Sequence, residues 1–290
     1  MGIEVKQLNG TTRILGIIGH PVRHSRSPLM QNAALHACGL DYVYVPFEVV
    51  PEALGAAVTG LKALGVAGFN VTIPHKVRVM QYLDELDTSA EAAGAVNTVK
   101  NDAGRLIGYN TDGDGLIRSL AMESGFHPHG ASVALVGAGG AARGAVAALC
   151  RAGVKRIMIA NRTTGKAAEL VSLMAQRFPD TDLSLAESFE KLEGGLAQVD
   201  LLVNTTSLGM NDDAVPCLSL ENLPQGAMVY DMVYAPPVTP LLIEAQRLGL
   251  RHANGLGMLA AQGELGFTIW TGRIPPSGLM KRVLEGLCNY

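Results

Sequence analysis

Short apolar runs alternate with amphipathic stretches along most of this 290-residue chain, and glycine or proline closes nearly every one. Residues 13–18 form an apolar run that stops at Gly19, which predicts a strand. Ser27-Pro28 predicts a helix start, with serine as N-cap and proline at the first helical position. The helix then continues through 29–38 to a stop at Gly39. Residues 42–49 alternate as a strand, 51–64 read as a helix, and 66–71 form a third strand, broken by Pro74. Residues 97–110 predict a hairpin, two β-rich arms around Asn101-Asp102-Ala103-Gly104.

From about Gly113 the pattern changes. A buried strand at 133–136 leads into Gly137-Ala-Gly-Gly-Ala-Ala142 and a helix over 141–152. A strand at 156–160, a helix at 163–177 and strands at 200–204 and 228–231 follow. This β-α-β order predicts an α/β chain with a parallel, doubly wound sheet. After Gly255 the pattern is helical, with 272–276 separating two helices that could pack on either half.

Composition narrows the class. The chain is 48% hydrophobic and 17% charged, and it is long enough for two ordinary domains. A net charge of -3 and 5% aromatics give neither an electrostatic footprint nor a stacking platform for nucleic acid, and nothing that favours an anionic membrane. The most apolar window, 131–150, is too broken by glycines and Arg143 to span a bilayer. Residues 1–9 carry no apolar core and read as an ordinary mature N-terminus. Cys38, Cys150, Cys217 and Cys288 have no CxxC spacing, which favours buried reduced thiols and a cytoplasmic protein. The triplets Asn70-Val-Thr72 and Asn161-Arg-Thr163 then need an explanation other than glycosylation.

The glycine-rich turn after the 133–136 strand suggests a dinucleotide. Glycine at 137 permits the tight turn, glycine at 139 lets backbone approach a pyrophosphate, and Ala142 allows close helix–strand packing. Gly137, Ala138, Gly139, Gly140 and Ala141 together form the cofactor turn, and the helix start adds free N–H groups and a partial positive charge. An NAD enzyme usually carries an acidic residue at the end of the next strand. This chain has Asn161-Arg162-Thr163 there instead, and Arg162 can bind a 2′-phosphate through a charge-assisted fork, so NADP is expected.

Polar residues gather where the first strands end. Ser25 and Ser27 flank Arg26; Asn70, Thr72 and Lys76 follow the third strand; Asn97 and Thr98 open the hairpin, and Asn110-Thr111-Asp112 closes it. Together they suit a ligand with several hydroxyls and one carboxylate. His20, His24 and His75 are rival acid/base candidates. Pro21 argues against one helix presenting His20 and His24 to a metal, and His75 should diverge from Lys76 at a helix start, so no metal site is expected.

These segments resemble the shikimate/quinate dehydrogenase family over essentially the whole length. The matching stretches are Gly19-His-Pro-Val-x-His-Ser-x-Ser-Pro28, Asn70-Val-Thr-x-Pro-x-Lys76, Gly94-Ala-Val-Asn97-Thr98 and Gly108-Tyr-Asn-Thr-Asp112-Gly. In the second half they are Val136-Gly-Ala-Gly-Gly-Ala-Ala142, Asn161-Arg-Thr163, Asn204-Thr-Thr-Ser-x-Gly-Met210, Gly255-Leu-Gly-Met-Leu-x-x-Gln262 and Trp270-Thr-Gly272.

The resemblance implies an N-terminal α/β substrate domain over 1–112, completed by about 256–290 as the last helices return to it, and a Rossmann NADP domain over 113–255. The cleft would lie between them. Ser25 and Ser27 would hold the substrate carboxylate, while Thr72, Lys76, Asn97, Asp112 and Gln262 surround the ring hydroxyls. Tyr234 would be a substrate-site tyrosine, and Met232 and Gly255 would lie near the nicotinamide. The implied reaction is reversible, NADP-dependent reduction of 3-dehydroshikimate to shikimate, a step of aromatic amino-acid biosynthesis through chorismate, by a monomer or homodimer. Lys76 is the expected acid/base group and Asp112 its partner; burial disfavours the charged lysine and the carboxylate favours it, so the two effects oppose. The alternatives are a quinate or dual quinate/shikimate enzyme using NAD, a methylenetetrahydrofolate-type dehydrogenase, and a non-catalytic NADP-binding regulatory protein.

Overall fold

The computed structural model describes residues 8–210 and 218–286. The first part of the chain runs β1 (Arg13–Gly19), α1 (Ser27–Ala37), β2 (Tyr42–Glu48), α2 (Leu54–Ala63), β3 (Gly68–Val71), β4 (Glu85–Leu86), α3 (Thr88–Ala93), β5 (Thr98–Asp102) and β6 (Arg105–Tyr109). These strands form one mixed sheet in the order β2-β1-β3-β5-β6-β4. β1 pairs in parallel with β2 and β3, and β5 turns the sheet antiparallel. The β5–β6 hairpin closes through Ala103 (φ 51) and Gly104 (φ 89), the left-handed pair that a two-residue hairpin requires.

The second part begins with α4 (Asp112–Ser124) and continues through β7 (Ser132–Val136), α5 (Gly140–Arg151), β8 (Arg156–Ala160), α6 (Thr164–Arg177), β9 (Asp182–Leu185), α7 (Phe189–Gly194), β10 (Leu201–Asn204), β11 (Met228–Asp231), α8 (Pro240–Arg247) and β12 (Arg251–Asn254). Its six strands are all parallel, in the order β12-β11-β10-β7-β8-β9, as the β-α-β pattern predicts. Alternate residues of β7 feed opposite cores. Val133 and Leu135 pack with α4, α5 and α6, and Ala134 and Val136 pack with α7 and α8. Helices therefore cover both faces, the doubly wound arrangement.

The chain ends in α9 (Leu256–Thr271) and α10 (Leu279–Leu284), and both complete the first sheet's core beside α1. Phe267 and Trp270 of α9 are buried there, and burying each such side chain contributes about 1.5–3 kcal/mol. Trp270 Nε1 donates to Val99 O at 2.9 Å. Gly68 is the residue that lets the indole lie on β3, since a Cβ there would collide with it. The pairing of a mid-chain strand with a C-terminal tryptophan fixes the return.

Three local expectations change. Arg26, not Ser27, sits at the cap of α1 and makes no side-chain capping bond; Ser27 is the first helical residue and donates its backbone N–H to Ser25 Oγ at 3.3 Å. Lys76 and His75 lie in a turn rather than at a helix start, because Pro74 and the Val96 N–H to Lys76 O bond (2.8 Å) hold the segment across the sheet end. Cys38 is half-buried rather than fully buried; Cys150 is a buried free thiol whose pKa burial pushes up to about 11. Cys217 and Cys288 lie outside the described residues. No helix among the described residues is long and apolar enough to cross a membrane.

Candidate active site

The carboxyl ends of β1, β3 and β11 and the starts of α1, α4 and α9 converge on one cavity of about 180 Å³. Ser25, Ser27, Thr72, Lys76, Asn97 and Asp112 line it from the first half of the chain. Tyr234, Met232, Gly255 and Ala141 face it from the second half, and Gln262 faces it from α9. All eight expected substrate and catalytic residues are thus brought together. The apolar part of the wall is Ile17, Val71, Met258 and Leu259; the last three fall inside motif stretches, but the sequence assigned none of the four a role.

Lys76 Nζ donates to Asp112 Oδ2 at 2.5 Å, and both side chains are largely buried. Asp112 opens α4, where a carboxylate complements the helix dipole. Its other oxygen accepts from Asn97 Nδ2 at 2.8 Å, and its backbone N–H donates to Asn110 Oδ1 at 3.2 Å. Asn97 also donates to Thr111 Oγ1 (2.9 Å) and to Gln262 Oε1 (3.4 Å), and its own carbonyl oxygen accepts the Thr111 N–H (2.8 Å).

The network continues through Asn70, which also lines the cavity, to Tyr44. Asn70 Nδ2 donates to Thr98 Oγ1 and to Asn97 O, each at 3.0 Å, and the fully buried Tyr44 donates its hydroxyl to Asn70 Oδ1 at 2.6 Å. Burial holds the Tyr44 hydroxyl far above its ordinary pKa, with a hydrogen bond to Ser27 acting the other way, so it stays a neutral donor. Tyr44 touches both the serine side and the asparagine side. It was invisible in the sequence, where it reads as one more aromatic of a strand. The Asn-Val-Thr triplet at 70–72 is explained here: Asn70 belongs to the network and, with Thr72, to the wall.

Tyr234 reaches across from the second half. Burial raises its pKa, while the Arg26 charge and a backbone hydrogen bond at Arg26 lower it. Gly255 packs so tightly on the Met232 backbone that a Cβ would collide with its carbonyl oxygen. Below this loop lies a buried carboxylate: Asp231 accepts from Thr239 Oγ1 (2.6 Å), Asn204 Nδ2 (2.9 Å) and the Val233 N–H (3.0 Å). Burial nevertheless raises its pKa.

His75 turns away from the cavity, with Nε2 2.6 Å from Val49 O. His20 pairs with Glu48 at 3.2 Å on the surface. Among the described residues no cluster of three or more His, Cys, Asp or Glu side chains could hold a metal.

The expected cofactor residues other than Met232 and Gly255, which follow β11 and β12, occupy the carboxyl ends of β7 and β8. Gly137 has φ +119, and a Cβ there would collide with Thr205. A Cβ on Gly139 would meet no atom within 4 Å, so the space in front of the turn is open. The first backbone bond of α5 runs from Arg143 N to Gly139 O, which leaves the N–H groups of 140–142 outside the helical ladder. Open space and free donors at a helix start fit a pyrophosphate. Asn161 donates to Thr163 O at 2.9 Å and shapes the neighbouring turn, where Arg162, Thr163 and Lys166 are exposed. Gly137, Ala138, Gly139, Gly140, Asn161, Arg162 and Thr163 are not part of the cavity wall; Ala141 joins the two regions.

Three family models cover most of the chain. A shikimate dehydrogenase substrate binding domain matches residues 17–99, a shikimate/quinate 5-dehydrogenase model matches 119–227, and a shikimate 5′-dehydrogenase C-terminal domain matches 255–285. The NADP(+) shikimate dehydrogenase of Citrifermentans bemidjiense is 54% identical over 280 residues, 96% of each chain. A shikimate dehydrogenase solved in complex with NADP+ superimposes with a TM-score of 0.88 at 41% identity, covering 100% of both chains. A Listeria monocytogenes shikimate 5-dehydrogenase in complex with shikimate and NAD gives a TM-score of 0.88 at 37% identity, covering 98% of this chain and 99% of that one. With these matches spanning both sheets and the returning helices, the chain belongs to the shikimate dehydrogenase family.

Proposed function

We propose that the chain catalyses the reversible, NADP-dependent reduction of 3-dehydroshikimate to shikimate, with Lys76 as the acid/base group and Asp112 as its partner. The observation that carries this reading is the 2.5 Å Lys76–Asp112 pair inside a cavity walled by hydroxyl and amide side chains. When bound, NADP supplies or takes up the hydride.

The protein's part is to grip the ring and to move one proton. Ser25 and Ser27 donate to the substrate carboxylate, and Thr72, Asn97, Tyr234 and Gln262 meet the ring hydroxyls. The Lys76 ammonium donates to the carbonyl oxygen being reduced, and in reverse the amine takes that proton back. Asp112 keeps Nζ aimed, and Asn97 keeps Asp112 aimed. For the cofactor, 137–141 would cradle the pyrophosphate and Asn161, Arg162 and Thr163 the phosphorylated ribose, with Met232 and Gly255 beside the nicotinamide.

On this reading residues 1–112 with 256–290 form the substrate domain and 113–255 the NADP domain; α4 bridges them, packing on both α5 and α9. The proposal includes a cytoplasmic location, supported by the free thiols Cys38 and Cys150. It also includes action as a monomer or homodimer, as the family resemblance implies.

Initial rates with shikimate and with quinate, each with NAD and with NADP, test the proposal. Shikimate with NADP should be fastest. Quinate with NAD fastest would give the quinate reading, and background rates for every pairing would give a non-catalytic or folate-type protein.

A further inference from the structure

The dinucleotide pattern demands small residues at 137, 139 and 142 and asks nothing of 140. The structure gives Gly140 a different neighbour. A Cβ at 140 would lie 2.8 Å from Lys76 Cβ, 3.1 Å from its Cδ and 3.4 Å from its Cγ, where carbon atoms prefer about 3.5–4.0 Å. The lysine stem therefore lies flat on the first residue of the nucleotide-binding helix. It has little freedom to retreat. Its Cβ is fixed to a turn pinned by Val96 N to Lys76 O (2.8 Å), His75 N to Thr72 O (2.9 Å) and Val79 N to His75 O (2.9 Å).

One helical turn on, Gly144 does the same for the partner. A Cβ there would lie 2.9 Å from Asn110 Oδ1 and 3.3 Å from Asp112 Cβ, and Asn110 Oδ1 is the acceptor of the Asp112 N–H. Positions i and i+4 share one helix face, so a single face of α5 seats both members of the pair.

We propose that Gly140 is a positioning residue for Lys76: the nucleotide-binding helix holds the lysine against Asp112, and the missing side chain at 140 makes the seat. This rests on the acid/base reading of Lys76 for its effect on turnover, but the seat itself can be read without activity.

The test is Gly140→Ala, followed by three measurements. Alanine keeps the N–H that would face the pyrophosphate, so NADP affinity, by titration of nucleotide fluorescence, should fall less than kcat at saturating shikimate and NADP, which falls at least tenfold. Weakened NADP binding with an unchanged kcat and an unchanged acetylation rate would overturn the proposal, because Gly140 would then serve only the cofactor. Acetylation of Lys76, followed by mass spectrometry on the cofactor-free protein, should be at least fivefold faster in the variant; an unchanged rate overturns the seat whatever Lys76 does in catalysis. If the seat holds and kcat does not fall, the acid/base reading fails and the seat survives. Should Gly140→Ala not fold, Lys76→Gly/Gly140→Ala must fold as well as Lys76→Gly alone, since the atoms in the way are gone. A double variant that stays unfolded contradicts the proposal.

Discussion

The two walls of the cleft are built in opposite ways. The substrate wall is made of side chains, each held by another: Lys76 by Asp112, Asp112 by Asn97, Asn97 by Thr111, and Asn70 by Tyr44. The opposing wall, the turn after β7 and the first turns of α5, is made of side chains left out, at Gly137, Gly139, Gly140 and Gly144. A wall of side chains fails when a partner is removed, because a buried polar group is left unsatisfied at a cost of about 1–3 kcal/mol. A wall of omissions fails when atoms are added.

The comparison can be broken at several points. Asp112→Asn removes the carboxylate that holds Nζ, and kcat for shikimate oxidation should fall roughly 10²-fold or more, as for loss of acid/base function. Arg162→Ala tests the nucleotide side away from the glycines. Losing a charge-assisted hydrogen bond of about 1.5–3 kcal/mol should weaken NADP binding roughly 10- to 150-fold and leave NAD nearly unchanged, as measured by KM for each cofactor.

Tyr44→Phe leaves Asn70 Oδ1 without its donor, deep behind the cavity. Urea unfolding should show a loss of about 1–3 kcal/mol. The smallest effect concerns Asp231, whose pKa burial raises. A raised folded-state pKa means tighter proton binding in the native chain, so its contribution is full below the ordinary carboxylate value of 3.8 and is lost as pH rises through the raised value. Asp231→Asn should remove that slope. The stability gap between variant and wild type, followed by denaturation midpoints, should therefore move in the variant's favour as pH climbs from 3.8.

The same contrast explains what the sequence made legible. The parallel sheet and the polar residues that gather in the cavity could be read, because apolar runs and polar motif residues carry their own signal. The helix α4 could not. Its start, Asp112-Gly-Asp-Gly115, reads as a turn, since glycine weakens a helix by about 1 kcal/mol. The structure uses those glycines for contact: Gly113 lies against Gly144 and Ala148 of α5, and Gly115 against Met258 and Gln262 of α9. The strands β9 and β12 escaped because they are short, largely polar sheet edges with no apolar run. Tyr44 escaped because it acts through another residue, Asn70, and only three dimensions show which.

The central claim is that Lys76 moves the proton. The most direct measurement is a single-turnover stopped-flow rate of nucleotide reduction in Lys76→Met, saturated with shikimate and NADP, alongside shikimate affinity by calorimetry. The account predicts shikimate affinity within about tenfold of wild type and a rate lower by roughly 10²–10⁴. Near-normal affinity together with a near-normal rate would contradict it.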